Sequence, residues 1–217
     1  MANNNPPLRI FNHQLPYPTY NTYTVYFYED SVHTTLTNNR RIVTEWITNV
    51  ERSYESRRRR RSVVGLEMEW RHSYISEHNP VATVQLCIGQ RCLIFQLLHC
   101  SLIPNIFWNF LVNPNYKFVG IGIRSNLEKL EYDYDVELNV NSVDLRHLAA
   151  IECEMNDLRF AGMTTLARVV LSKEVNRPRR VTMSRWDSES LTPLQVQFAC
   201  ISAYVSAKIG LALNADT

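Results

Sequence analysis

The sequence predicts one α/β domain with a mixed β-sheet and helices on both faces of the sheet. Two observations lead to this prediction. Three short apolar runs in the first half of the chain are typical of an antiparallel meander, and the alternation of strand-like and helical segments that follows is typical of parallel strands joined through helices. With 217 residues, 45% of them hydrophobic, the chain is long enough to bury one sizeable core.

The first half of the chain supplies the meander. Residues 1–20 are rich in Asn and Pro and predict a flexible lead-in, so that residues 21–217 form a single domain. Aromatic and β-branched residues at 23–28 predict a strand, and apolar residues at helical spacing over 42–54 predict a helix that ends at an arginine run. The stretch VVGLEMEW predicts a buried strand, and VATVQLCIG with RCLIFQL predicts a hairpin.

The second half supplies the alternation of helices and strands. Strands are predicted at 116–123 and 136–140, and helices at 103–112, 125–134, 143–152, 163–171 and 192–213. Two helix starts fit a capping box, in which a hydroxyl and the side chain three residues later satisfy free backbone N–H groups. These are Ser125 with Glu128 and Thr192 with Gln195.

The cysteines and the hydropathy indicate an intracellular protein. The five cysteines include no C-x-x-C pair and lie mostly in apolar runs, which favours reduced thiols over disulfides or zinc. No apolar signal core is found at the start, and the best apolar window, near 103–112, is too short to span a bilayer. We therefore expect the nucleus, the cytoplasm or both, and no membrane partner.

Arginine is concentrated in two places. Five arginines form the run Arg57–Arg61, and four lie in RPRRVTMSR, namely Arg177, Arg179, Arg180 and Arg185. Without these nine, 14 basic residues stand against 21 acidic ones, so the basic charge is local. Such a footprint is typical of contact with phosphates or an acidic partner. For Arg57–Arg61 a solvated linker or a nuclear import signal remains an equal alternative.

Two carboxylates stand one residue apart in VVGLEMEW. Glu67 and Glu69 share one face of the predicted strand, and Met68 lies on the other. Acids this close repel each other unless a cation or a hydrogen-bond donor lies between them. The pair therefore indicates either half of a metal site or two acids that face a polar groove.

Five stretches, in this order, resemble one known family. They are VVGLEMEW, PVATVQLCIG, KFVGIGIRSNLEKL, VDLRHLAA and RPRRVTMSRWDSESLTPLQVQFACISAYVSAKIG. Together they resemble the 3′-5′ exonuclease domain of the DEDD superfamily, in its DEDDy branch, and most closely the plant Werner-like group. The resemblance implies a ribonuclease H-like (DnaQ-like exonuclease) fold with a five-stranded mixed core sheet. It also implies phosphodiester hydrolysis by two divalent ions held by four acids, with a tyrosine that positions the attacking water.

Several positions depart from the family pattern. Glu69 is as expected, whereas Glu67 stands in place of an Asp, Asn126 in place of an Asp, Phe198 in place of the Tyr and Ser202 in place of the last Asp. The histidine of the sister subfamily is Gln197 here. With two acids left of four, the resemblance implies that Glu67 and Glu69 hold one Mg²⁺ or Mn²⁺ at most, weakly, or no cofactor. Replacement acids could come from Glu128, Glu131 or Asp144.

Nucleic acid, as a single strand or a 3′ end, is the partner that the residues suggest. Trp70 could stack on a base, and Arg177, Arg179, Arg180 and Arg185 could neutralise phosphates, none of which needs a metal. The alternative is that Trp70, like Trp186, packs in the core or in an interface.

Three functions are therefore open. The first is a Werner-like exonuclease-domain protein that binds nucleic acid with weak or lost metal-dependent nuclease activity. The second is an active 3′-5′ exonuclease with a rebuilt metal site. The third is a structural or assembly role, for which a homo-oligomer is compatible with the sequence. The sequence leaves open whether the chain is an enzyme.

Overall fold

The computed structural model describes residues 9–13, 20–55, 62–72 and 78–215. The run Arg57–Arg61 lies outside these residues. Eight strands form one sheet, and they span β1 Arg9–His13, β2 Asn21–Phe27, β3 Asp30–Thr37, β4 Ser62–Trp70, β5 Val81–Ile88, β6 Arg91–Phe95, β7 Tyr116–Gly120 and β8 Ser142–Asp144. Seven helices accompany them among the described residues: α1 Arg40–Glu55, α2 Asn105–Leu111, α3 Ile123–Tyr134, α4 Leu145–Glu152, α5 Met163–Leu171, α6 Arg179–Thr182 and α7 Pro193–Ala212.

The sheet is mixed, and its strand order is β1-β2-β3-β6-β5-β4-β7-β8. Strands β4, β5 and β6 form the antiparallel meander, and β7 and β8 continue from β4 in parallel. These five strands form the core, in which β8 takes the place of the strand predicted at 136–140, and β1 to β3 extend it beyond β6. The predicted mixed α/β fold with a five-stranded core is confirmed.

Three local predictions differ from the structure. Arg9–His13, within the predicted lead-in, pairs with β2, and the unpredicted strand β3, which pairs with β6, carries the buried threonines Thr34, Thr35 and Thr37. No strand forms at 136–140; instead Ser142–Asp144 pairs with β7. Strand β8 ends at Asp144, which is also the N-cap of α4. The helical pattern that begins there therefore hid the short strand from a reading of the sequence.

The start of α3 also differs from the prediction. The helix begins at Ile123, after Gly122 in the left-handed conformation (φ 64°), so Ser125 is already inside it. Glu128 accepts a hydrogen bond from Arg124 at 3.0 Å and does not close a capping box. The predicted box of Thr192 and Gln195 at the start of α7 is confirmed, since each side chain bonds the other residue's backbone N–H.

The helix α7 packs across one face of the sheet and is buried on nearly all sides. Its backbone comes so close to β4 that a Cβ at Gly65 would lie 1.9 Å from the carbonyl oxygen of Ala203. Helices α4 and α5 lie on the same face, whereas α1, α2 and α3 cover the other. Because Gly65 is two residues before Glu67, this close crossing sets the distance between the acid pair and α7.

The cysteines of the described residues are free thiols, and Cys87, Cys92 and Cys200 are buried. Cys87 faces Cys92 across the hairpin, and Thr34 Oγ1 donates to Cys200 Sγ at 3.0 Å. Among the described residues no helix is long and apolar enough to span a bilayer.

Candidate active site

Strand β4 and helix α7 bring the predicted site residues together. Glu67 and Glu69 project from β4, and Phe198 and Ser202 lie one turn apart on α7. One turn further along, Ser206 Oγ donates a hydrogen bond to Glu67 Oε1 at 2.5 Å and joins the two elements directly. The pair of acids therefore faces the helix that carries Phe198 and Ser202.

Asn126 lies in the first turn of α3. Its backbone N–H donates to the carbonyl of Gly122 at 3.2 Å, and its side chain is partly buried. Strand β7, which precedes α3, pairs in parallel with β4, so Asn126 belongs to the same end of the sheet as the acids. Its amide brings no charge to that end.

Both acids are buried, with relative exposures of 8% for Glu67 and 7% for Glu69. Burial raises the pKa of Glu67 to about 7, against the opposing effects of Arg177, of the Ser206 hydroxyl and of the Ile121 backbone N–H. Burial likewise raises the pKa of Glu69 to about 8, with Arg177 again opposing and the charge of Glu67 adding to the rise. Near neutral pH the pair therefore carries less than two negative charges.

Arg177 reaches into this region from the loop between α5 and α6. Its Nη1 donates to Ser202 Oγ at 2.6 Å, and its guanidinium lies 4.4 Å from the centre of the Phe198 ring. It is also the strongest of the influences that lower the pKa of Glu67 and of Glu69. Sequence reasoning placed Arg177 in a basic loop and missed its place beside the acids. The sequence contained one indication of this: two acids on the same face of a strand, without the further acids of a metal site, need another cation nearby.

The other predicted nucleic-acid contacts are dispersed. Arg179 and Arg180 are exposed on α6, whereas Arg185 forms an ion pair with Asp187 at 2.8 Å. Trp70 is partly buried, and Lys129 Nζ lies 5.2 Å from its ring centre. Arg179 and Arg180 thus lie exposed on the helix that follows Arg177 in the chain.

Trp186 belongs to the core. It is fully buried, its Nε1 donates to the carbonyl of Thr182 at 3.1 Å, and its ring centre lies 5.9 Å from that of Phe198. The core alternative for this tryptophan is confirmed, and its indole is closed to a nucleobase.

The three candidate replacement acids already have partners, although Asp144 lies near enough to Glu67 for its charge to add to the rise of the Glu67 pKa. Glu128 pairs with Arg124 on the exposed face of α3, and Glu131 accepts from the Leu138 N–H at 2.7 Å. Asp144 caps α4, accepts from the Gly122 N–H at 3.0 Å, and forms a two-point ion pair with the guanidinium of Arg146. None of the three is directed to a new metal site by these contacts.

The donor set does not fit two divalent ions. In the part of the chain that the structure describes, no three acidic, histidine or cysteine side chains are grouped so that they could hold a metal ion. The hydroxyl of Ser202 is already taken by a guanidinium, which would repel a divalent cation. Mg²⁺ prefers charged oxygen ligands in strict octahedral geometry, and this site offers two buried acids with raised pKa.

A small cavity of about 180 Å³ adjoins Arg177. It is mainly apolar, and its lining includes Val175, Val181, Gln197, Phe198 and Ile201. The Gln197 Nε2 is buried and has no hydrogen-bond partner in the described structure. An unpaired buried amide of this kind costs free energy of folding, on the order of 1–3 kcal/mol.

Comparison with known proteins places the chain in a family. A sequence profile described as 3′-5′ exonuclease matches residues 43–216, which include β4, α3 and α7.

The chain belongs to the 3′-5′ exonuclease family.

The relatives of this 3′-5′ exonuclease-family chain include a plant protein, in agreement with the predicted resemblance. A 3′-5′ exonuclease of Arabidopsis thaliana is 32% identical over 146 residues, which is 66% of this chain and 49% of that protein. The bifunctional 3′-5′ exonuclease/ATP-dependent helicase WRN of Mus musculus is 30% identical over 144 residues, 65% of this chain and 10% of that protein. The chain thus spans about half or less of the length of these relatives.

The fold is also similar to that of a solved exonuclease domain. The EXO domain of Nibbler from Aedes aegypti superimposes with a TM-score of 0.67 at 15% identity, over 83% of this chain and 87% of that domain. This likeness confirms the exonuclease-domain fold. The family acts on nucleic acid and is typically dependent on divalent metal ions.

Proposed function

We propose that this exonuclease-family chain binds a single strand or a 3′ end of nucleic acid and that its metal-dependent nuclease activity is weak or lost. The observation that carries the proposal is that, among the residues the structure describes, no third acidic, histidine or cysteine side chain is grouped with the buried pair Glu67 and Glu69 to complete a metal site. We further propose the nucleus or cytoplasm as its location.

The size of the expected loss follows from the individual changes. Glu67 is one methylene longer than the aspartate of the family, about 1.5 Å, and a misplacement of this scale costs about 100-fold in rate. Phe198 lacks the hydroxyl that would position water, an effect of about 10² to 10⁴. Together these losses support at most a residual activity even where one ion binds.

A nuclease assay on a recessed 3′ end, with Mg²⁺ and with Mn²⁺, tests the loss of activity. We expect the natural protein to match its Glu67→Gln/Glu69→Gln variant or to exceed it only slightly. Activity that is absent in that control and that reaches, in the natural protein, the level of the four-residue variant described next would contradict the proposal and establish the alternative of an active exonuclease. A variant carrying Glu67→Asp, Asn126→Asp, Phe198→Tyr and Ser202→Asp is the positive counterpart, made with Arg177 and with Arg177→Gln.

Binding is tested separately, by titrating single-stranded and recessed-end DNA at several salt concentrations. We expect affinity to fall steeply with salt, because phosphate contacts release counterions. Absence of binding at low salt would remove the nucleic-acid proposal and favour the structural role. Sedimentation of the same sample would then show whether the chain forms a homo-oligomer.

A further inference from the structure

We infer that the guanidinium of Arg177 is the fixed cation of the site, so that this chain holds a phosphate of the strand through Arg177 and without a divalent ion. This inference rests on the proposed nucleic-acid binding and adds to it the group that replaces the metal.

Arg177 contacts two of the altered positions, Ser202 and Phe198. Ser202 stands where the family has an acid, and its neutral hydroxyl accepts a hydrogen bond from Arg177 at 2.6 Å. Phe198 stands where the family has a tyrosine, and its ring faces the guanidinium at 4.4 Å, which favours a cation. Both replacements therefore favour contact with an arginine, and neither supplies a charged oxygen ligand for a metal ion.

The charge of the site is balanced in the same way. Four carboxylates suit two divalent ions, whereas two buried carboxylates suit a single positive charge. Arg177 acts on both Glu67 and Glu69 and is the leading favourable charge for each. A divalent ion that entered beside this guanidinium would meet a like charge at short range. The arginine is thus a substitute for the ion and excludes it.

The loop that carries Arg177 is held on both sides. The Glu174 N–H donates to the Tyr28 hydroxyl at 2.9 Å, and Thr164 Oγ1 donates to the carbonyl of Val175 at 3.3 Å, while Val175 itself is buried. Pro178 follows Arg177 directly and restricts its backbone. The guanidinium is therefore placed before any ligand arrives.

A guanidinium so placed can still bind a phosphate. It carries five N–H donors, and the hydrogen bond to Ser202 uses one nitrogen. Arg177 is only partly buried, and the exposed arginines Arg179 and Arg180 follow it in α6. A planar donor group of this type binds phosphate oxygens in pairs, as a spherical ammonium cannot.

The test is fluorescence anisotropy with a labelled recessed-end DNA, in excess EDTA and in Mg²⁺. For the natural protein we expect the two dissociation constants to agree within about twofold. For Arg177→Gln we expect affinity to fall by about tenfold or more, in line with the loss of a charge-assisted bond. Arg168→Gln is the matched control, since Arg168 is exposed on α5 and loses the same charge away from the site.

The outcomes are distinguishable from failure of the proposed function. If the natural protein binds no DNA at low salt, the proposed function fails and the inference with it. If it binds DNA but requires Mg²⁺, or if Arg177→Gln binds as tightly as Arg168→Gln, only the inference is overturned. The comparison of EDTA with Mg²⁺ uses the natural protein alone, so a requirement for Mg²⁺ would overturn the inference even where Arg177→Gln does not fold.

Discussion

The hydroxyl of Ser206 on α7 donates a hydrogen bond to the carboxylate of Glu67 on β4, across 2.5 Å and between residues 139 positions apart in the chain. The bond lies inside the core, where Ser206 is fully buried and Glu67 nearly so. It connects the longest helix to the strand that carries the acid pair. Removal of the Ser206 hydroxyl would leave the buried Glu67 carboxylate with one hydrogen-bond donor fewer.

Ser206→Ala is expected to lower the free energy of unfolding by about 1–3 kcal/mol, the usual cost of depriving a buried polar group of its partner. Urea denaturation at pH 7 measures this change. In a Glu67→Gln background the same substitution should cost less, because a neutral amide gains less from the hydroxyl than a carboxylate does. Equal costs in both backgrounds would show that the bond contributes nothing specific to the acid.

The stability of the fold should fall as pH rises from about 4.5 to about 8. The folded pKa values of Glu67 and Glu69 are about 7 and 8, above the ordinary value of 4.5 for a glutamate, so the folded state binds more protons in this window. Each such group lowers stability by up to about 1.4 kcal/mol per pH unit between its two pKa values. Urea midpoints at pH 5, 6, 7 and 8 measure the slope.

A double variant provides the control for this slope. Glu67→Gln/Glu69→Gln cannot ionise at either position, so its stability should change less between pH 5 and pH 8 than that of the natural protein. If the two slopes coincide, the acids ionise in the folded state near their ordinary pKa and the burial argument is wrong.

Gln197→Met is expected to raise the free energy of unfolding by about 1–2 kcal/mol. The substitution keeps the length of the side chain and removes the buried Nε2 that has no partner. Gln195→Met is the matched control on the same helix. Since Gln195 closes the capping box with Thr192 and bonds Ser184 at 3.0 Å, its loss should lower stability by a similar amount. Destabilisation by both changes would mean that the amide of Gln197 has a partner in solution.

Gly65→Ala is expected to destabilise the fold by more than about 3 kcal/mol or to prevent folding. The added Cβ would lie 1.9 Å from the carbonyl oxygen of Ala203, and both groups belong to backbone that cannot move apart cheaply. Gly162→Ala is the control, because nothing lies within 4 Å of its added Cβ, and we expect a change of about 1 kcal/mol or less. Thermal unfolding of the two variants measures both changes, and equal losses of stability would contradict the prediction.

The sequence by itself determined the local elements and the chemical identity of the site positions. Helical spacing over 42–54, the hairpin of β5 and β6 and the capping box of Thr192 all follow from interactions between near neighbours, and each is found in the structure. The sequence alone also identified Asn126, Phe198 and Ser202 as altered positions, because the comparison with the family motifs uses only residue types and spacing.

Only the tertiary structure decided which cation faces the acids. Arg177 lies 25 residues before Ser202 and 110 after Glu67, and only the packing of α7 on β4 and the anchoring of the loop after α5 bring the three together. Burial of the pair, and hence its raised pKa, has the same origin, because desolvation depends on every element that covers the acids. The strand β8 was missed for a related reason: three residues form a strand there only because β7 offers a paired edge.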